Sequence, residues 1–419
     1  MKQCHYSRYA IVSIFENQAH IMKALYASAL ALCSIIVNAQ TLPYKLTAQI
    51  DSAVQYDTIP WRHQAAAWDY AYIGEYQLAL KAWDAPYQSK RKPRSKETIE
   101  TYLAEPKAIL KAYRPAPAIS YILEAAKQTR LVIVNEAHHN PMHRAYMESL
   151  LPGLYAQGYT YIGMEGVDYV DSLLNQRKYP VIATGYYVKE PAFGNMIRTA
   201  LRIGYTVFPY ESTSDRNAME REINQANNIK LQLDQHPQSK FIIYCGFDHA
   251  IEDSTRNAWV MAMAGRLKTL TGIDPLTIDQ VALTETSDPH YDNFYRQALH
   301  LDYSAVLVDS SGRAFNTAAL GKSFDVNVYH PTTRFIYKRP HWLLGKNKKL
   351  VSVNKKINID YPCLLLAYNA KEDIDTAIPV DIIELASKED DKRLILKKKK
   401  KYVIVALNGK QQKQVLTIH

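Results

Sequence analysis

The chain has 419 residues, more than one hydrophobic core usually serves, so a main domain with smaller additions at its ends is expected. Its apolar share, 47%, is ordinary for a soluble globular protein, which excludes a largely disordered or fibrous chain. Much of the excess behind the net charge of +10 sits in Lys90, Arg91 and Lys92, in Lys346, Lys348 and Lys349, and in the run 397–401, with no aromatic-interleaved groove or zinc-finger spacing, so these read as solvated faces and no nucleic-acid partner is expected.

In chain order, Met22 and Lys23 open an apolar run over 24–37 that ends in Val37, Asn38 and Ala39. A basic start, a short hydrophobic centre and small residues three and one positions before the cut describe a secretory signal peptide cleaved before Gln40. Residues 1–39 are then a signal-peptide region with the true start at Met22; the alternative, an uncleaved anchor, needs a longer run. Leu32 stands before Cys33, where a lipoprotein signal requires a small residue. The mature chain is expected to be periplasmic or secreted. It keeps Cys245 and Cys363, too far apart for a disulfide scaffold, and Cys245 in its apolar run reads as a core residue.

Residues 40–118 read as a helical N-terminal appendage. The stretch 68–80 suggests one helical hairpin, like half a tetratricopeptide unit, without a second copy at that period. It is taken as a packing appendage. Pro86 and Pro93 mark a loop, and Pro115-Ala116-Pro117 introduces the main domain.

Between 119 and 328 apolar strand-like runs alternate with amphipathic helical stretches. Helices are expected over 119–127, 142–155, 193–203, 219–233 and 258–270, and strands over 131–136, 159–164, 206–210, 240–245, 276–282 and 305–308. The alternation predicts an α/β fold, a mostly parallel sheet flanked by helices. Pro152 predicts a kink or boundary in its helix. From 329 to 419 helical periodicity fades and short runs with polar turns predict a small C-terminal antiparallel β domain, with 397–401 at a hairpin tip.

Four of the apolar runs stop in chemistry. The first ends in Glu136 and His138, the second in Glu165, the third in Glu211, and the fourth in Gly246-Phe247-Asp248-His249. In a parallel sheet these ends share one rim, where sites form in α/β folds. Imidazoles and carboxylates gathered there can hold a divalent metal, form a base with an orienting partner, or make a satisfied polar network. Each residue also has a bland reading: His139 as a helix-capping residue, Asn140 and Pro141 as a helix start, Glu211 in a surface salt bridge. The tyrosine excess, 31 against nine phenylalanines, suits a wet cleft, although compositional habit gives the same count.

The segments 135–143, 163–165 and 246–249 resemble the superfamily joining erythromycin esterases, ChaN-like haem-uptake proteins and Tiki metalloproteases. Its pattern is a glycine three residues before a histidine, used twice, with a glutamate at an intervening strand end. Gly246 to His249 fit; at the first copy Asn135 replaces the glycine. The helix over 219–229 is similar to one that carries a charged inner face in these families. The likeness covers roughly 119–285. It implies that His138 and His249 are metal ligands or water-activating bases and that Glu136 and Glu165 are ligand, orienter or general base. Arg221 would then meet a carboxylate or an anionic intermediate, with an ion pair along its helix as the alternative.

The resulting expectation is an exported hydrolase in which His138 and Glu165, with Glu136, His249 and Arg221, activate water against an ester, lactone or amide carbonyl of a small molecule or peptide. A divalent zinc, manganese or iron ion held by His138, His249, Glu136 and Glu165 is one form of that site. The rival expectation is a periplasmic haem- or iron-binding protein without catalysis.

Overall fold

The central sheet forms because the runs ending in Glu136, Met164 and Gly246 are apolar on both faces and so must be covered by helices on both sides. The structure is a computed structural model, described here over residues 43–88, 95–212, 215–253, 259–316, 324–345 and 347–418. The expected signal segment, Lys90 to Lys92, Pro93 and Lys346 lie outside the described residues. Among the described residues no helix is long and apolar enough to cross a membrane.

Four helices come first: α1 (Thr47–Tyr56), α2 (Arg62–Tyr72), α3 (Tyr76–Gln88) and α4 (Lys96–Leu110). The α2–α3 turn needs Gly74: its φ is +76°, and a β-carbon there would lie 2.5 Å from the Arg339 guanidinium. There follow β1 (Arg114–Pro117), α5 (Ala118–Ala125), β2 (Leu131–Glu136), α6 (Pro141–Ala156), β3 (Tyr159–Met164), α7 (Leu174–Arg177), α8 (Pro191–Ile203), β4 (Thr206–Phe208), α9 (Ala218–Gln235), β5 (Lys240–Gly246), α10 (Met263–Thr271), β6 (Leu276–Asp279), α11 (Phe294–Gln297), β7 (Ala305–Val308) and β8 (Val326–Asn327). The strand order is β4-β3-β5-β2-β6-β8, with every pairing parallel. One face packs on α6 and α8 through residues such as Val132, Met147, Leu150 and Ile197, and the other on α9 and α10 through Ile133, Ile229, Phe241 and Leu267.

Several expectations need correction, among them Pro86, which lies inside α3 and not in a loop. β7 leaves the parallel sheet and pairs antiparallel with β1, from Arg114↔Val308 to Pro117↔Ala305. Pro152 neither ends nor divides α6, which runs on through it. The buried stripe Met147, Leu150, Leu151 and Leu154 holds the helix to the sheet and offsets the lost backbone hydrogen bond.

The C-terminal part contains β9 (Phe335–Ile336), β10 (Arg339–Pro340), β11 (Lys348–Val351), β12 (Cys363–Asn369), β13 (Asp381–Leu385), β14 (Leu394–Lys397), β15 (Tyr402–Asn408) and β16 (Lys413–Ile418). An antiparallel sheet of order β13-β12-β15-β16 and the β11–β14 pair enclose a core that includes Cys363, Leu365, Ile383, Leu394 and Ile404. The lysine run after β14 is therefore not a hairpin tip: β14 pairs with β11 and β15 with β12, so the turn crosses between two sheets. The molecule is a mixed α/β fold, a six-stranded parallel sheet flanked by helices with a C-terminal antiparallel sheet.

Sheet register aligns the chemistry. Glu136 is opposite Gly246 across β2–β5, and Met164 is opposite Tyr244 across β3–β5, so three adjacent strands end side by side. The N-terminal helices reach this carboxyl edge as well. Trp83 of α3 stacks on His139, and Tyr76 donates to Glu285 at 2.7 Å.

Candidate active site at the carboxyl edge of the sheet

Glu136 closes β2 inside the protein, and four donor atoms meet its carboxylate. Arg144 of α6 gives a two-pronged contact through Nε and Nη2, both at 2.7 Å, Tyr244 donates its hydroxyl at 2.8 Å, and His138 Nδ1 lies at 2.9 Å. Burial alone would raise the carboxyl pKa; the guanidinium and the imidazole outweigh it and hold the group well below the usual carboxylate range. An ionised carboxylate only accepts, so Nδ1 of His138 carries a hydrogen and the neutral ring keeps its lone pair on Nε2.

The Nε2 edge of His138 faces Glu165, the residue after β3, with Oε1 at 3.8 Å. Tyr187 lies flat against the ring at a centroid distance of 3.9 Å, and Phe247 meets it edge-on. Glu165 Oε2 accepts from the Gly246 N–H at 2.5 Å, and Oε1 from Arg221 Nη2 at 2.7 Å. Burial pushes this carboxyl up, but His249, His138, Arg221 and the Gly246 amide together bring it down to about 2.

A second pair mirrors the first. His249, on the short turn Phe247–Ala250 after β5, presents Nδ1 to Glu222 at 2.8 Å, and its Nε2 stands 3.8 Å from the same Glu165 oxygen. Its ring stacks on Trp259 at 4.8 Å. Glu222 is buried on α9 and also accepts from the Met263 N–H at 2.8 Å. Burial lowers the His249 pKa, and the Glu165 charge with the Glu222 hydrogen bond overcomes this and raises it. Arg221 spans the mouth: Nη1 is 2.9 Å from His249 Nε2, and the rest of the guanidinium pairs with Glu165 and Glu211. The Arg221 contact at Nε2 is one that only the neutral ring can accept, so it opposes the two carboxylates, which favour the protonated ring.

The structure thus brings Glu136, His138, Glu165, Glu211, Arg221 and His249 into one cluster. Asp248 is half-buried on the same turn as His249. His139 lies apart, sandwiched against Trp83; the helix cap beside it is Asn140, whose side chain accepts from the Met142 N–H. Asn135, at the position where the resemblance expects glycine, binds the Phe247 carbonyl through Nδ2 at 2.8 Å and Asp279 at 2.7 Å, and so anchors the turn that carries His249.

Two partners escape the strand-end reading, Glu222 and Arg144. Each carried a signal. Glu222 begins the buried α9 stripe Glu222, Gln225, Ala226, Ile229 and Leu233, and Arg144 shares an α6 face with Met147 and Leu151. A charge on a buried stripe requires an opposite charge beside it.

The expected metal set is not assembled. Among the described residues no group of three or more His, Cys, Asp or Glu side chains is arranged to hold an ion. Glu136 is consumed by Arg144, His138 and Tyr244, and the Arg221 guanidinium stands against both Glu165 Oε1 and His249 Nε2, where a cation shared by those two would sit. These residues do not fit a divalent ion while Arg221 is in place. Haem iron would take an imidazole through its Nε2, which at His249 already meets Arg221. Cys245 is buried against the Val134 carbonyl with its thiol pKa pushed well up by burial, as a core residue would be.

No family model and no curated protein matches the chain. Solved structures give distant likenesses. The type III effector HopBA1 is 15% identical over 43% of this chain and 94% of its own, with a TM-score of 0.30. The C-terminal region of Pasteurella multocida toxin, described as having a thiol-protease-like catalytic triad, is 12% identical over 52% of this chain and 30% of its own, with a TM-score of 0.28. The haem-binding ChaN of Campylobacter jejuni is 6% identical over 50% of this chain and 91% of its own, also at 0.28. These likenesses are remote.

Proposed function

We propose that this chain is an exported hydrolase in which His138 activates water against the carbonyl of an ester, lactone or amide. The observation that carries the reading is the paired arrangement: two glutamate-oriented histidines turn their Nε2 atoms toward one carboxylate oxygen, each at 3.8 Å. That gap exceeds a direct hydrogen bond and, on the His138 side, suits a water that bridges the two groups from beside them.

In the proposed sequence, water lies between His138 Nε2 and Glu165. Neutral His138 takes one proton, Glu136 stabilises the imidazolium through Nδ1–H, and the hydroxide adds to the carbonyl carbon. The carbonyl oxygen then carries the negative charge, facing Arg221 as the nearest fixed cation. Collapse breaks the carbon–oxygen or carbon–nitrogen bond, and the leaving group takes the proton from His138. Glu165 remains ionised throughout and holds Arg221 in position. The Gly246 N–H is already committed to Glu165, so the oxyanion role rests on Arg221 alone.

The test is hydrolysis of activated esters by the full chain, compared with His138→Ala and His249→Ala. Loss of turnover by 10³-fold or more at His138, on the order expected for a general base with its orienting partner, supports the reading if circular dichroism and urea midpoint are retained. Equal turnover in folded His138→Ala would refute it. N-terminal sequencing of exported protein beginning at Gln40 tests the export component.

A further inference from the structure

Helix α3 turns the face Leu80, Trp83, Asp84 and Tyr87 toward the end of β6, and between them lies a cleft of about 310 Å³. His139 and Phe247, on which Trp83 stacks, line it together with Ala137, Val281 and Thr284 to Thr286. Phe247 is shared with the catalytic cluster, since its ring meets His138 edge-on at 5.2 Å and Trp83 face-on at 5.3 Å. It adopts φ +45°, a left-handed conformation that a bulky side chain rarely takes, and the Asn135 contact to its carbonyl holds it there.

We infer that this cleft is the subsite for the group attached to the scissile carbonyl, and that it takes a single aromatic ring with a short uncharged or cationic substituent. The assignment of the bound group as substrate rests on the hydrolase reading; the ligand chemistry stands apart from it.

Four observations carry the chemistry. A cavity of roughly 150 Å³ lined by apolar side chains accommodates benzene, so this one has room for a substituted ring. Trp83, Phe247 and Tyr87 supply aromatic surface, with Tyr87 half exposed at the mouth. Among the described residues the charged lining side chains are the carboxylates Asp84 and Glu285, so an anionic substituent meets repulsion from them. His139 adds a polar handle. It is 3% exposed and its Nδ1 has no hydrogen-bond partner.

The experiment uses calorimetry on the full chain with benzyl alcohol, 2-phenylethylamine and phenylacetate. The first two should bind once per chain and phenylacetate at least ten-fold more weakly. Val281→Trp and, from the opposite wall, Leu80→Trp fill the cleft, and whichever folds should weaken benzyl alcohol binding at least ten-fold, whereas His138→Ala should leave it unchanged. Equal affinity for phenylacetate, or undiminished binding in a folded filled variant, would overturn the assignment. Turnover separates the two claims. Ethyl phenylacetate should exceed ethyl acetate at least ten-fold in kcat/KM, with Val281→Trp erasing that preference while ethyl acetate turnover persists. Aromatic binding without hydrolysis of either ester would sink the hydrolase reading and leave the aromatic site standing. Hydrolysis of both at equal kcat/KM would sink the subsite and leave the hydrolase.

Discussion

Gly246 lies directly against the His138 ring: a β-carbon at position 246 would stand 2.4 Å from both Cε1 and Nε2 of the imidazole, and 3.3 Å from Glu165 Oε2. The strand backbone holds Gly246 in register with Glu136 across β2–β5, so the side chain of His138, held by Glu136 and Tyr187, is what must move. Gly246→Ala should therefore push the imidazole off its line to Glu165 while the sheet persists. The expected result is a loss of about 10²-fold in kcat, the order of effect of a displacement near 1 Å. Unchanged kcat in a folded variant would mean that the His138 position is immaterial.

Arg144 is fully buried and rests on Glu136 and Glu190. Glu136→Gln removes the charge that neutralises it. Breaking a buried pair on one side costs about 3–5 kcal/mol, so the urea midpoint should fall steeply. Arg144→Met together with Glu136→Gln should recover part of that loss. A single variant as stable as the parent chain would contradict the account of this pair.

Arg221 occupies the place that a metal would take. Arg221→Ala leaves Glu165, His138 and His249 facing an open space, and two imidazoles with a carboxylate are ordinary zinc ligands. The variant should lose activity and gain zinc affinity by at least ten-fold over the parent chain in a competition titration with a chromophoric chelator. Parent activity should survive dialysis against EDTA. Tight stoichiometric metal in the parent would reverse this reading of the cluster.

Acid stability follows from the buried histidines. Burial, with the neighbouring His138 ring and the Arg144 charge, brings His139 down to about 3, and burial with Arg296 does the same to His330; their ordinary value is 6.5. Between about 3 and 6.5 the unfolded chain binds more protons, so stability rises with pH across that window and is lost as pH falls through it. Glu165, at about 2 against 4.5, adds loss of the same sign below 4.5, whereas raised His249 acts oppositely, above 6.5. The urea midpoint should decline steadily from pH 6.5 to 4, and His330→Gln should flatten the slope. A midpoint constant over that range would contradict the assignment of neutral buried imidazoles.

The residues that announce the cluster were legible because strand chemistry is local. An apolar run that is buried on both faces and then breaks into Glu136-Ala137-His138, or into Gly246-Phe247-Asp248-His249, states in a few adjacent residues that a strand ends and polar groups begin. The parallel sheet follows from the same local pattern repeated between helices.

The partners of those residues required the folded chain. Glu222 and Arg144 sit on helices, whose inward face is defined only once each helix docks on the sheet, so neither could be matched to His249 or Glu136 from spacing alone. The same reason hides the placement of α3: amphipathic periodicity at Leu80, Trp83, Asp84 and Tyr87 says that one side is covered, but not that His139 and Phe247 cover it. It also conceals the loss of β7 from the main sheet to β1, since strand pairing is a contact between distant segments. Local sequence carries backbone preference and burial pattern; which charge neutralises which, and whether Arg221 or a cation stands between two imidazoles, depends on distances that exist only after the chain has closed on itself.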